Sequence, residues 1–353
     1  MRKRLKLKRM VLWLLLFGIP GVWASLAGSL NAQTASPSNA LVVITRDPLA
    51  TDAFNPRSER LRSLFERGLT ATTGKASANE AWSTLLTLQD TVGIKVHSAP
   101  GIAGTRPQLV SAIVESLASF GLSPSNIIVW DKIGSDLENA GFMALESRHG
   151  ILVLSAQGAG WDEASAYTNS AVGHMTWSDH EFDKSGEQHG KRSFHSKLVT
   201  QRLTKLINVP SLLNHYSAGV AGCLYSLGLG SVDNTRRFES SAERLSEALP
   251  ELYAHPLIAD RAVLHVVDAL IAQYHGETST MLHYAKPLNE LRFSRDPVAL
   301  DVLSIRELDH LRKGSTTSFP TNALPFIDML YRENAPLLEL GVADPDRIRV
   351  EHR

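Results

Sequence analysis

Cysteine is all but missing: the chain has 353 residues and one thiol, Cys223. That excludes an intramolecular disulfide, a zinc knuckle and a four-thiolate iron–sulfur cluster. It also suits an oxidising compartment, where stray thiols are a hazard. Several catalytic signatures are absent. There is no GxSxG, no SxxK and no HExxH, and neither GxGxxG nor a P-loop occurs. Clustered positive charge is lacking too, outside one end. Six of the 36 Lys/Arg residues lie in residues 1–9, so the remainder carries 30 basic against 36 acidic groups. A mildly acidic body argues against a nucleic-acid surface, which needs grouped cations.

What is present begins with a basic, apolar and then small-residue run over residues 1–32. Arg2, Lys3, Arg4, Lys6, Lys8 and Arg9 precede VLWLLLFGIPGVWA (11–24), and Ala27 and Ala32 offer cut points. This is the layout of a secretory signal, with an uncleaved N-terminal anchor as the alternative. Membrane contact is expected only through residues 10–30, and only if the segment stays uncleaved. Either way, the periplasm or cell envelope is the expected location. Residues 33–40 read as a polar linker, and 41–353 as the folded body.

In that body, β-branched and apolar runs alternate with helical patterns. Strands are expected at 40–45, 91–96, 126–130, 150–154, 205–209 and 261–268, and a short one at 291–294. Helices are expected over 57–69, from Thr105 with a Thr105–Gln108 capping box, from Ser240 to just before Pro250, from Asp296 as N-cap, and over 325–340. The strand–loop–helix–strand order predicts an α/β fold, a mostly parallel sheet flanked by helices. It leaves room for two lobes, 41–155 and 196–353, sharing a central cleft. Residues 156–195 have little periodicity and read as an insertion or lid. Their four histidines (His174, His180, His189, His195) lack metal-site spacing and read as solvated loop residues.

In open parallel sheets, ligands sit beyond the carboxyl ends of the strands. Lys95, His97 and Asp131 fall there. Lys95 interrupts an apolar strand, so it needs a partner, and Asp131 is the obvious one. His215 follows a strand end in the polar cluster Asn214-His215-Tyr216 and is a candidate base. Lys95, Asp131 and His215 are thus the catalytic candidates. Asn214, Asp233, Asn234, Arg237 and His283 are the substrate-binding ones, with Asp233, Asn234 and Arg237 as an oxyanion or carboxylate clamp. Asp268 is a further carboxylate. His265, alternating with apolar residues, reads as a core histidine. The Gly101-x-x-Gly104 loop before a helix is either an anion cradle or a plain tight connection. A divalent metal held by His and Asp is one expectation for the pocket; a metal-free pocket is the other.

Several segments in order, VGIKVH (92–97), GTRPQLVSAIVESL (104–117), NIIVWDK (126–132), LINVPSLLNHYSAGVAGCLYSL (206–227), SVDNTRRF (231–238), VLHVVDALIAQYHGE (263–277) and FSRDPVALD (293–301), resemble the bacterial proteins of domain of unknown function 362. The resemblance covers most of residues 90–310. It implies an α/β fold and frequent export, and supplies no reaction. Many relatives carry Lys where this chain has Leu213, and Lys-Asn where it has Tyr225-Ser226. Some are joined to ferredoxin segments, which this single-cysteine chain cannot reproduce. The expectation is an exported enzyme acting on a small anionic substrate through a Lys/His/Asp/Arg pocket. The alternative is a non-catalytic binding or scaffold protein of the envelope.

Overall fold

The computed structural model describes residues 39–315 and 321–353; the signal or anchor read over residues 1–32 lies outside them. Where the chain alternates apolar residues with period two on strands and near 3.6 on helices, it builds a layered α/β fold. In chain order the main elements are β1 (Ala40–Arg46), α1 (Ser58–Thr73), β2 (Val92–Val96), α2 (Pro107–Phe120), β3 (Ile127–Asp131) and β4 (Leu152–Ser155). Then come the hairpin β5 (Trp161–Thr168) and β6 (Arg192–Ser196), β7 (Lys205–Val209), β8 (Ser211–His215) and β9 (Gly219–Val220). The remainder is α3 (Cys223–Gly230), α4 (Ala242–Ala254), β10 (Ala262–Gln273), β11 (Ala285–Ser294), α5 (Pro297–Arg312) and β12 (Ile348–His352).

The main sheet runs β12-β1-β11-β10-β7-β2-β3-β4. The neighbours from β10 through β7, β2 and β3 to β4 are parallel, and β11 is antiparallel to both β10 and β1. Pro210 bends β7 into β8, which continues along the far half of β10. The five residues of β2 and the five of β3 are buried throughout. That is the mark of a sheet covered on both faces. Side-chain alternation divides them. Ile127 and Val129 join Val92, Ile94 and Val96 under α1 and α2, whereas Ile128 and Trp130 pack on the face of α3, α4 and α5.

Four local expectations change. The N-cap of α2 is Arg106, with no side-chain cap. The Thr105 hydroxyl accepts from the His97 amide at 3.0 Å and donates to the Val209 carbonyl at 2.5 Å, tying the ends of β2 and β7 together instead of capping. Pro250 does not end α4 but lies inside it. A proline there leaves the carbonyl four residues earlier without its amide donor. Asn334 Nδ2 supplies the missing donor to Ser246 O at 2.9 Å. The helix read over 325–340 is broken by a π-helical stretch, Met329–Asn334. Finally, β10 and β11 run past the strands expected at 261–268 and 291–294, because the polar loop between them is a hairpin pairing Gln273 with Ala285. Asp296 does cap α5, accepting from Ala299 N at 2.8 Å.

Candidate active site at the strand ends

Alternation along β2 turns Lys95 toward α3, and the small residues of α3 make room for it. A Cβ on Gly230 would lie 2.2 Å from Lys95 Cε. The ammonium is buried, so it needs ligands of opposite charge or hydrogen-bond acceptors. It finds Asp131 Oδ1 at 2.7 Å, the Val96 carbonyl at 2.7 Å and Ser226 Oγ at 3.3 Å, with its Nζ 5.6 Å from the Trp130 ring centroid. Asp131, at the end of β3, accepts at Oδ2 from the amide and hydroxyl of Ser98, each at 2.7 Å, and at Oδ1 from Lys132 N at 2.7 Å. Burial alone would raise its pKa. The Lys95 ammonium, then His97, then the donated hydrogen bonds overcome this and hold the carboxyl below its usual value.

A cavity of about 310 Å³ opens directly above this pair. Lys95, His97, Asp131 and Lys132 come from the ends of β2 and β3 and Asp136 from the short helix Gly134–Asn139 that follows; Tyr225, Ser226 and Gly230 come from α3. Thr235, Arg236 and Glu239 also line it, as do Trp161, Thr176, Ser178 and Asp179 of the insertion. Lys132 Nζ donates to Thr235 Oγ1 at 2.8 Å. Burial lowers the Lys132 pKa, opposed by Glu239 first and then by Asp179, Asp233 and Asp131. Tyr225 donates its hydroxyl to Glu239 Oε1 at 2.9 Å. The buried His97 Nε2 makes no hydrogen bond. Burial brings its ring down to about 4, with Asp131 opposing and Lys95 and His215 adding to the drop. His97 is therefore neutral at neutral pH. Followed by NMR, its ring should titrate near pH 4 rather than at the ordinary 6.5, and replacing Lys95 with an uncharged residue should move it upward.

The other sequence candidates are placed differently. His215 lies one ring away from the cavity, its centroid 4.4 Å from that of Tyr225. Its Nδ1 accepts from the amides of Ser217 (3.2 Å) and Ala218 (3.1 Å), so that nitrogen is occupied by backbone. In this arrangement His215 supports Tyr225 and shapes the turn after β8. Buried Asn214 accepts from Glu277 N at 3.1 Å, fastening the β10–β11 hairpin. His283 is exposed in that hairpin, its ring tilted against Tyr284 with centroids 4.0 Å apart, and does not line the cavity. Asp268 binds Arg106, accepting its amide at 2.8 Å. The Arg106 guanidinium in turn holds the Gly104 and Ile102 carbonyls, each at 2.6 Å. That locks the Gly101–Gly104 loop as a tight connection. His265 is a core histidine, 3.0 Å from the Tyr253 hydroxyl.

Asp233, Asn234 and Arg237 do not form a clamp facing the cavity; they rivet the insertion to the body. Arg237 is fully buried and donates to Ser193 Oγ (2.9 Å), Ala171 O (3.1 Å), Tyr167 O (3.1 Å) and Asn169 Oδ1. Asp233 accepts from His180 N at 2.7 Å and Phe194 N at 2.5 Å. Asn234 donates its amide to Asp179 Oδ1 at 2.9 Å. Each of these groups satisfies backbone or side chains of residues 167–194, so the insertion stands as a fixed wall of the cavity. The buried His195 departs from the solvated loop reading: it lies on β6, its Nδ1 3.0 Å from Ser165 Oγ and its ring tilted against His255 with centroids 4.4 Å apart.

Sequence reasoning passed over Lys132, Tyr225, Thr235, Arg236 and Glu239 as site residues. Lys132 had a readable signal, since it directly follows a strand-end aspartate. The others come from α3 and the turn after it, whose position depends on long-range packing. Among the described residues, no three His, Cys, Asp or Glu side chains gather as a metal-binding group. Also among them, no helix is long and apolar enough to cross a membrane.

The family described as Domain of unknown function (DUF362) matches residues 92–306, more than half of the chain. The chain belongs to the DUF362 family. The match starts at β2, which carries Lys95, and ends within α5, so it includes every residue that lines this cavity. No curated protein matches the chain. In this DUF362 protein, Tyr225 and Ser226 stand on α3 at the cavity: the first presents its hydroxyl to Glu239, the second accepts from Lys95.

Proposed function

We propose that this DUF362 protein is an exported enzyme that binds a small acid-bearing molecule in the strand-end cavity and acts on it by proton transfer. The observation that carries the reading is the convergence of two lysines, an arginine and an unpartnered neutral imidazole on one partly enclosed space at the carboxyl ends of parallel strands. Lys132 and Arg236 supply charge for the acid group. His97, uncharged at neutral pH, is the proton acceptor. Lys95 and Asp131 hold one another and fix the floor, and Asp131 opposes the fall in the His97 pKa. Export to the periplasm or cell envelope rests on the sequence of residues 1–32 and the near absence of cysteine.

The test is a thermal-shift panel of carboxylic acids, amino acids and phosphate esters on the purified protein. At least one is expected to raise Tm, since a ligand that binds only the native state stabilises it. No shift from any acid-bearing compound would remove the reading. A second reading, a non-catalytic binding protein, is favoured by the occupied Nδ1 of His215. Mass spectrometry of the ligand after incubation separates the two: an enzyme returns it chemically changed, a binder returns it intact.

A further inference from the structure

The charge on the cavity wall is not of one sign. Three fixed cations line it, Lys95, Lys132 and Arg236, together with four carboxylates, Asp131, Asp136, Asp179 and Glu239. Two of those carboxylates are already committed. Asp131 is paired with Lys95, and Asp179 accepts the amides of Asn234 and Thr176. Glu239 uses one oxygen for the Tyr225 hydroxyl and keeps the other. Asp136 makes no salt bridge among the described residues, and neither does Arg236. Lys132 and Glu239 line the same cavity without being joined within salt-bridge distance, although Glu239 opposes the burial effect on Lys132. A site for a plain anion would gain nothing from two carboxylates that have no salt-bridge partner among the described residues, because like charge costs affinity.

We infer that the ligand carries an ammonium as well as an acid group, the ammonium facing Glu239 and Asp136 and the acid group facing Lys132 and Arg236; the class that this pairing and the size of the cavity fit is a free amino acid. This rests on the acid-binding reading above and narrows it to a substrate class. The volume, about 310 Å³, is at the small end of ligand pockets and suits a molecule of that size. The apolar wall positions, Trp161, Leu229 and Ile133, are left to meet its side chain.

The experiment screens the twenty L-amino acids by thermal shift. It then titrates the best one calorimetrically beside two analogues: the carboxylic acid lacking its amino group and the amine lacking its carboxyl group. The amino acid is expected to bind about tenfold or more tightly than either, the loss corresponding to one charged hydrogen bond. Glu239→Gln should weaken the amino acid by a similar factor while leaving the des-amino acid unweakened. Asp136→Asn provides the same comparison if Glu239→Gln fails to fold. If the des-amino acid binds wild type as tightly as the amino acid, this inference is overturned and the acid-binding reading stands. If nothing in the set binds, this inference is overturned while the acid-binding reading is decided by its own wider panel; if the amine binds as tightly as the amino acid, the acid-binding reading falls and this inference with it.

Discussion

Lys95→Met is expected to destabilise the protein by about 3 kcal/mol, the lower end of the cost of breaking a buried ion pair. Methionine keeps the length and apolar stem of lysine, so packing against Gly230 and Trp130 is largely retained. What is lost is the charge facing Asp131, which is left buried with three hydrogen-bond donors and no cation. Lys95→Met combined with Asp131→Asn should recover part of the loss, since the double variant buries no lone charge. The pH dependence has a definite sign. In wild type the Asp131 pKa is held below 3.8, so its contribution is present above that pH and is lost as pH falls through the depressed value. Without Lys95 the burial effect dominates and the pKa rises instead. The variant's deficit should therefore be largest near neutrality and shrink below about pH 4. Urea denaturation at pH 7 and pH 3 checks this; an equal deficit at both would mean that packing, not charge, holds Lys95 in place.

Arg237→Ala is expected to cost about 2–4 kcal/mol, because four acceptors lose a buried charged donor at once. The effect should be local as well as global. The guanidinium joins residues 167, 169, 171 and 193, so its loss frees the wall that carries Thr176, Ser178 and Asp179. Limited proteolysis should then cut within residues 169–191 at protease concentrations that leave wild type intact. Arg237→Lys should not rescue the wall, since an ammonium cannot reproduce the planar fork that reaches four separate acceptors. Ligand affinity should fall with the wall even though Arg237 does not line the cavity. A variant that is destabilised yet resists cutting in that segment would show that the insertion is held by other contacts.

Much of the architecture is legible in the sequence because period-two apolar runs and capped helices report local geometry directly. Asp296-Pro297 reads as an N-cap and first turn, and it is one. The strand-end position of Lys95, His97 and Asp131 is also legible, since it follows from strand order alone. The misreadings share a physical cause. Thr105 has the spacing of a capping box but is taken by two strand ends, and Pro250 has the look of a helix stop but is compensated by Asn334, more than eighty residues later. Arg237 and Asp233 have the composition of a ligand clamp, and the same groups that grip an oxyanion also grip backbone. Which they do depends on what packs above them. His215 illustrates the point most simply: a histidine in a polar turn looks available until two amides are found on its Nδ1.

The most direct test of the central claim is a calorimetric titration of the best acid-bearing ligand against wild type and Lys132→Gln. Glutamine removes the charge while keeping a polar side chain of similar bulk. The account predicts that wild type binds with an affinity that falls as salt rises, and that the variant binds about tenfold or more weakly. Equal, salt-independent affinity in the two proteins would contradict it.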